Sequence, residues 1–368
     1  MIEIERVTPE AMEREAEANG IELPIEQTSV WADFQAGVAG RAPWGSLLIR
    51  DNGQLVAVIS LIDMETHGYH YLRSVHGPAW KTKPSAQLER QAVKALADFV
   101  RTHDRKIVFM RIDTWDDQGT YPVLSTVPYN ETVILDVTGG DDAILGRMKR
   151  RGRRDVRKAL RECPATVANE TEQAVKDFRP YYAVMVDTAR RDGFTSAPMS
   201  DYTDMIKDLG PEHCRVYAAR IDGKVVAWSI VTTNHKTGVY YYASMLTEVK
   251  RQHVPDMLLY SVACDLGKDG FEKLDLMGIS NDFAPSLKGL NEFKTKFTEG
   301  TVTIAAGRDI PIKKAFYHAL RLLQDARKAL RRKPKKGAAT KPAAKPQAKA
   351  DAPAKPAAQP KADPTKKD

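Results

Sequence analysis

The densest chemistry in this chain is a run of cations. Arg147 to Arg161 reads Arg-Met-Lys-Arg-Arg-Gly-Arg-Arg-Asp-Val-Arg-Lys-Ala-Leu-Arg, nine positive side chains against one acid. Lys149, Arg150, Arg153, Arg154, Arg157 and Lys158 form its centre. A cluster of that density suits the phosphates of a nucleic acid, because each neutralised phosphate releases condensed counterions. Most of the run is compatible with helix. Met148, Val156 and Leu160 give it a narrow apolar stripe, and Gly152 costs about 1 kcal/mol against alanine. Cys163, Cys214 and Cys264 lie far apart, with no CxxC pair and no His/Cys cluster. Neither a disulfide framework nor a metal site is expected.

The net charge of +8 is unevenly spread. Residues 331–368 hold twelve Lys or Arg against three Asp, a net +9, which leaves −1 for the first 330 residues. The tail is Lys, Ala and Pro, with seven prolines and no aromatic residue. It offers too little apolar surface to offset its ordering entropy, so disorder is expected over 333–368. Its cations suit an anionic membrane surface or RNA. The length of 368 residues fits about two domains. Met1-Ile-Glu-Ile-Glu lacks the apolar core of a secretory signal. No run approaches the ~18 apolar residues of a membrane span. These features point to a cytoplasmic monomer that touches at most the inner face of the membrane.

The elements that must carry this chemistry come in two copies. LLIRDNGQLVAVISLID (47–63) is similar to VYAARIDGKVVAWSIVTT (216–233), and GYHYLRS (68–74) falls on GVYYYAS (238–244). Asp51-Asn52-Gly53 and Asp222-Gly223 sit between alternating apolar runs, a strong hairpin signal. A helical pattern follows in each copy, at 86–102 and 255–268, and then a strand, at 106–113 and 271–277. The second copy has an extra helix before its hairpin, 178–193. A last amphipathic helix covers 312–332, with Ile312, Phe316, Ala319, Leu320 and Leu323 set to pack on the core.

Strand meander, helix and strand, built twice, resembles two tandem GNAT-type acyltransferase domains of the α/β (α+β) class. A coenzyme A site of that type needs successive backbone N–H groups at a helix N-terminus to hold the pyrophosphate. The corresponding stretch here, Glu248 to Asp256, contains no glycine, and Pro255 has no N–H to donate. Acyl transfer from another carrier is therefore expected.

Several stretches resemble the FemABX aminoacyltransferases, which build peptidoglycan bridges from aminoacyl-tRNA. They are EQTSVWADFQ (26–35), MKRRGRRDVRKA (148–159), TARRDGF (188–194), YYYAS (240–244) with VPDMLLY (254–260), and LDLMGI (274–279) with GLNEFKTKF (289–297). The resemblance covers about residues 20–330 and implies a compact, armless form. Its implied domains are 1–146 plus 311–332, with the C-terminal helix returning to the first domain, and 147–310.

The reaction so implied is attack by a stem-peptide amine on the ester of aminoacyl-tRNA, with no cofactor. The resemblance assigns Lys294, with Phe293 beside it, to the oxyanion or the tRNA 3′ end. Spacing alone reads Lys294 as a strand residue between core Phe293 and Phe297. Tyr242, and less directly Tyr202, match the stem-peptide contacts. Asp113 matches a family aspartate that accepts a proton or orients the amine. Three positions depart from the family. Gln35 stands where a lysine can contact precursor phosphates, Pro198 where an arginine can precede the cleft tyrosine, and His76-Gly77-Pro78 where the family has Arg-Gly-Pro. The two lost cations favour a lipid-linked over a UDP-linked precursor. Two other readings are a coenzyme A-dependent N-acyltransferase and a non-catalytic protein that binds RNA or membrane.

Overall fold

The computed structural model describes residues 1–124 and 128–332, so the tail over 333–368 lies outside the described residues. Met1–Gln324 pack as one unit. Both expected hairpin turns form. Asn52 and Gly53 have φ of 48° and 79°, and Asp222 and Gly223 have 49° and 77°. Paired left-handed residues give the twist that lets a two-residue turn join two strands.

Each hairpin seeds one sheet. The first runs in the order Ile2–Val7, Arg41–Asp51, Gln54–Thr66, Tyr69–Arg73, Ile107–Thr114, Ala306–Pro311, Tyr121–Pro122. The second runs Val302–Thr303, Glu131–Asp136, Lys273–Gly278, Thr237–Met245, Lys224–Asn234, Cys214–Ile221, Thr166–Asn169. Each contains one parallel pair, Tyr69–Arg73 with Ile107–Thr114 and Thr237–Met245 with Lys273–Gly278. Parallel strands need a crossover, and the helices Ala86–His103 and Val254–Lys268 supply it.

The next strand in each sheet comes from the other half of the chain. Glu131–Asp136 pairs with Lys273–Gly278, and Ala306–Pro311 pairs with Ile107–Thr114. Both crossings are earlier than the expected 146/147 and 310/311. The reason is burial: Val133 and Leu135 belong to the core under the second sheet, and Ile310 and Ile312 to the core of the first. The two halves thus each complete the other's sheet.

The helix Arg179–Asp192 stops at Gly193, at φ 75°, as its sequence predicts. The last helix, Lys314–Arg332, forms but is rotated from expectation. Tyr317 is its buried anchor, while Phe316 and Leu323 are 44% and 58% exposed. The rotation is fixed by the entry turn, where the N–H groups of Ile312 and Lys313 both donate to the Val108 carbonyl. The Tyr317 hydroxyl then reaches Asp309 at 3.1 Å.

Candidate active site

In the second sheet the parallel ladder stops after Thr237, Gly238 and Val239. A bulge follows at once. Ile230 pairs with Tyr242 and Val231 with Tyr240, so Tyr241 is the extra residue. A bulge re-aims side chains. Tyr241 lies 6.0 Å from the Trp31 ring and lines a cavity of about 150 Å³ with Glu26, Arg73, His76, Asp113 and Tyr129. Tyr242 turns away, edge-on to Tyr202 at 5.1 Å. Tyr202 is buried against Phe178 and Trp228. Neither of the tyrosines singled out from the sequence lines this cavity.

The acidic side of the cavity begins at the short turn of helix Ile25–Gln27. The buried Gln27 amide donates to Ser74 Oγ at 2.8 Å and to the Val75 carbonyl at 2.7 Å, and its Oε1 accepts from the Ser60 N–H at 2.8 Å. This clamp fixes the loop that carries His76 at φ 56°. Non-glycine residues enter that region only when their surroundings hold them there. Gly77 next to it has no room for a side chain, since a Cβ would lie 2.3 Å from Ser74 Oγ. The His76 N–H donates to Asp113 Oδ2 at 3.1 Å, and the imidazole Nδ1 lies 3.7 Å from the same oxygen.

Burial pushes the Asp113 carboxyl up to about 6, with the charge of His76 pulling the other way. Burial also raises Glu26, whose Oε1 has no hydrogen-bond partner among the described residues. For His76 burial opposes the charged form, but Glu26, Asp113 and Asp275 outweigh it and raise its pKa. His76 lines two further cavities, of about 260 and 280 Å³, that adjoin the first. Of these residues the sequence points to Asp113. It singles out neither Glu26, which only opens the 26–35 stretch, nor Tyr129, which carries no periodic signal. His76 stands out there only as a departure from the family, and the tyrosine it selects is one position from Tyr241.

Lys294 ends a short helix, Lys288–Lys294, and not a strand as its spacing suggested. Asn291 forces the turn by accepting from the Ser280 N–H at 2.7 Å and donating to its carbonyl at 2.8 Å. The Lys294 ammonium donates to the carbonyls of Gly278 at 2.8 Å and Met277 at 3.3 Å. Burial lowers its pKa to about 8, against the pull of Asp275. Met277 sits at φ 62° and forms part of the cavity wall. Gly278 leaves space for Tyr129, whose ring would meet a Cβ there at 2.3 Å. Phe293 packs edge-on to Phe297 at 5.2 Å, and the buried Gln35 accepts from Arg41 Nη1 at 2.9 Å. Gln35 is thereby committed to a protein partner.

In a coenzyme-dependent GNAT domain the pyrophosphate lies at a helix N-terminus, and the corresponding end here carries an ion pair. Helix Val254–Lys268 opens with Pro255 in its first turn and no side-chain cap. Asp256 in that turn meets the ammonium of Lys296, a charge contact without hydrogen-bond alignment, and Lys296 also reaches Asp155 at 3.2 Å. A carboxylate thus takes the anion's place at the positive end of the helix.

Asp155 belongs to the basic helix Arg150–Glu162, which buries Gly152, Val156 and Ala159, whereas Leu160 is 50% exposed. Arg153 turns back to the carbonyls of Gly146, at 3.1 Å, and Met148. Arg154 pairs with Asp155 at 3.0 Å and Lys158 with Glu162 at 3.7 Å. Arg150 and Arg157 are exposed and have no ion-pair partner among the described residues. Lys149 is half-buried, and its N–H donates to the Lys296 carbonyl at 3.2 Å. Among the described residues no three His, Cys, Asp or Glu side chains converge as metal ligands do.

Residues 149–294 match the family model of the acetyltransferase (GNAT) domain. The crystal structure of FemX superimposes with a TM-score of 0.66 at 16% identity, over 87% of this chain and 100% of that one. The C-terminal domain of a putative lysylphosphatidylglycerol synthetase from Agrobacterium fabrum gives 0.49 at 14% identity, over 87% and 97%. A tandem GNAT protein from the clavulanic acid biosynthesis pathway gives 0.47 at 12%, over 84% and 97%. No curated protein sequence matches. The chain therefore has the FemX-like fold, two tandem GNAT-like acyltransferase domains, that the FemABX resemblance implied.

Proposed function

We propose that this protein is an aminoacyltransferase that moves an amino acid from aminoacyl-tRNA to the side-chain amine of the third stem-peptide residue of a lipid-linked peptidoglycan precursor. The observation that supports it best is the convergence of Glu26, His76 and Asp113 on one cavity beside Tyr129 and Tyr241. That cavity lies in an acyltransferase scaffold whose coenzyme corner is taken by Asp256 and Lys296.

In this reading the acceptor arrives as an ammonium and is drawn by Glu26 and Asp113, with Asp275 lining the adjoining cavity. Asp113 titrates near 6 because it is buried, so its carboxylate is available at neutral pH yet basic enough to take a proton. The free amine attacks the ester carbonyl, the amide C–N bond forms and the ester C–O bond breaks. The proton held by the carboxylate passes to the departing ribose oxygen, and the carboxylate so freed takes the excess proton from the new amide nitrogen and releases it to water. An ester donor is already activated, so no ATP is consumed and no cofactor is assigned.

Tyr241 takes the stem-peptide role that the resemblance gives to Tyr242 and Tyr202. Lys294 braces the cavity wall through Met277 and Gly278, and its third N–H is left for the donor ester. Phe293 is held in the core by Phe297 and the Lys296 ammonium. The basic helix takes tRNA phosphates through Arg150 and Arg157 in particular.

The test is a transfer assay with a pool of radiolabelled aminoacyl-tRNAs and both forms of the precursor. Label should move to the lipid-linked form and require charged tRNA. Transfer from acetyl-coenzyme A, or from no charged tRNA at all, would sink the reading. Equal use of the UDP-linked form would remove the lipid-linked preference.

A further inference from the structure

The last helix turns its apolar face outward. Phe316, Ala319 and Leu323 recur at helical spacing, with Leu322 beside them, whereas Leu320 packs inward with Tyr317. Phe316 is 44% exposed, Leu322 71% and Leu323 58%. Burial of the helix on the core rests on another side. Tyr317 packs against Phe109 and Tyr121, and the Arg321 guanidinium covers the Tyr121 ring at 4.9 Å. Leu322 and Leu323 are thus mostly in solvent, next to Phe316, which meets the Tyr69 ring edge-on at 5.9 Å, and such a cluster of exposed apolar side chains marks a contact surface.

Cations border this face. Lys313, Lys314 and Arg321 lie in 313–324, which holds no acid. The chain after the helix, 333–368, adds ten cations and three acids. Beside the helix lies a groove of about 730 Å³ lined by Lys314 together with Arg90, which pairs with Asp116, and Lys94 and Arg101, which pair with Asp98. An apolar stripe bordered by positive charge is the surface that lies in a bilayer interface. A second copy of the chain fits less well. A stable dimer buries roughly 800 Å² per partner, more than two turns of one helix present, and like charges along the rim would repel. Among the described residues no helix is long and apolar enough to cross a membrane.

We propose that the exposed face of helix Lys314–Arg332, through Phe316, Leu322 and Leu323, is a docking surface for a bilayer containing anionic lipid. The helix lies in the headgroup layer with its apolar side chains toward the acyl chains, and the following cations hold the surface electrostatically. The docking does not depend on the proposed transfer reaction. Its failure would leave that reaction standing, and the converse also holds.

The experiment is co-sedimentation of the full chain with vesicles of neutral phosphatidylcholine, with and without phosphatidylglycerol. Binding is expected to the anionic vesicles alone. The triple change Phe316→Ser, Leu322→Ser, Leu323→Ser, which leaves every charge in place, should weaken it at least ~10-fold. The single variant Leu322→Trp supplies a second measurement. It should show quenching by brominated acyl chains beyond that of the native tryptophans. Three results would overturn the proposal. They are no binding to anionic vesicles, undiminished binding by the triple variant, or a dimer in solution that the triple variant abolishes.

Discussion

The carbonyl oxygen of Lys296 occupies the space that a side chain at residue 152 would need: a Cβ on Gly152 would lie 2.1 Å from it. The basic helix is therefore seated by its glycine, which lets it approach the Lys296 backbone closely enough for that carbonyl to take the Lys149 N–H. In propensity alone Gly152→Ala would gain about 1 kcal/mol. Here the contact is backbone, which cannot rotate away. Gly152→Ala should destabilise the protein by about 1–3 kcal/mol, the usual cost of overpacking. Urea denaturation measures this, and an unchanged or raised midpoint would refute the close-approach role.

Lys296 also joins the basic helix to the start of helix Val254–Lys268 through Asp155 and Asp256. All three side chains are largely buried. Removing the cation leaves two carboxylates close together in a poorly solvated place. Lys296→Met should cost about 3–5 kcal/mol, as breaking buried ion pairs does. Asp256→Asn in the same chain should return part of that loss. A purely additive double variant would show that the pairing contributes little.

Much of the fold was legible because it rests on local signals. The Asn52-Gly53 and Asp222-Gly223 turns, the Gly193 stop and the two crossover helices all follow from residue types at short range. The failures share a cause, the dependence of side-chain direction on one distant contact. The resemblance pointed to Tyr242, but the bulge opposite Ile230 and Val231 turns the neighbouring Tyr241 to the cavity that holds Glu26, His76 and Asp113. Apolar spacing put Phe316 and Leu323 on the core, but the turn at Val108 rotates the helix to bury Tyr317. Glu26 faces the cavity because its neighbour Gln27 is clamped by Ser60, Ser74 and Val75, more than thirty residues away.

The bulge makes neighbouring tyrosines unequal. Tyr241 meets the cavity, whereas Tyr242 packs on Tyr202. Tyr241→Ala should lower kcat/KM by ~10-fold or more, in keeping with the removal of an anchoring aromatic group that supplies about 1.5 kcal/mol. Tyr242→Phe keeps the ring and should leave kcat/KM within a factor of about two, a change of under 0.5 kcal/mol. Steady-state kinetics of the two variants decides. The reverse order would return the peptide contact to Tyr242.

Asp113 gives opposite pH signatures in stability and activity. Its folded pKa of about 6 lies above the ordinary 3.8, so the folded state holds this proton more tightly than the unfolded chain. That contribution to stability is complete below the unfolded pKa, fades as pH rises to about 6 and is flat beyond. In the proposed transfer the carboxylate is the working form, so kcat/KM should climb through the same interval. Asp113→Asn should lower kcat/KM by ~10²–10⁴ and remove the climb. The variant's unfolding free energy should also fall less between acid and neutral pH. A climb that survives in the asparagine variant would move the base to His76 or Glu26.

The basic helix separates cations that can reach a phosphate from cations already committed within the protein. Arg150 and Arg157 stand exposed without ion-pair partners among the described residues, whereas Arg153 donates to the carbonyls of Gly146 and Met148. Removing one cation that neutralises a phosphate should reduce the salt slope of RNA binding by roughly 1. Arg150→Ala with Arg157→Ala should therefore flatten the plot of log affinity against log salt by about 2 and weaken binding to charged and uncharged tRNA alike. Arg153→Ala should leave that slope unchanged and lower the unfolding midpoint instead, because it strips the last carbonyls of the preceding turn of their donor. Filter binding across a salt series, paired with thermal melts, distinguishes the two. If all three arginines contributed equally to the slope, the helix would be acting as a diffuse field and not through the two exposed side chains.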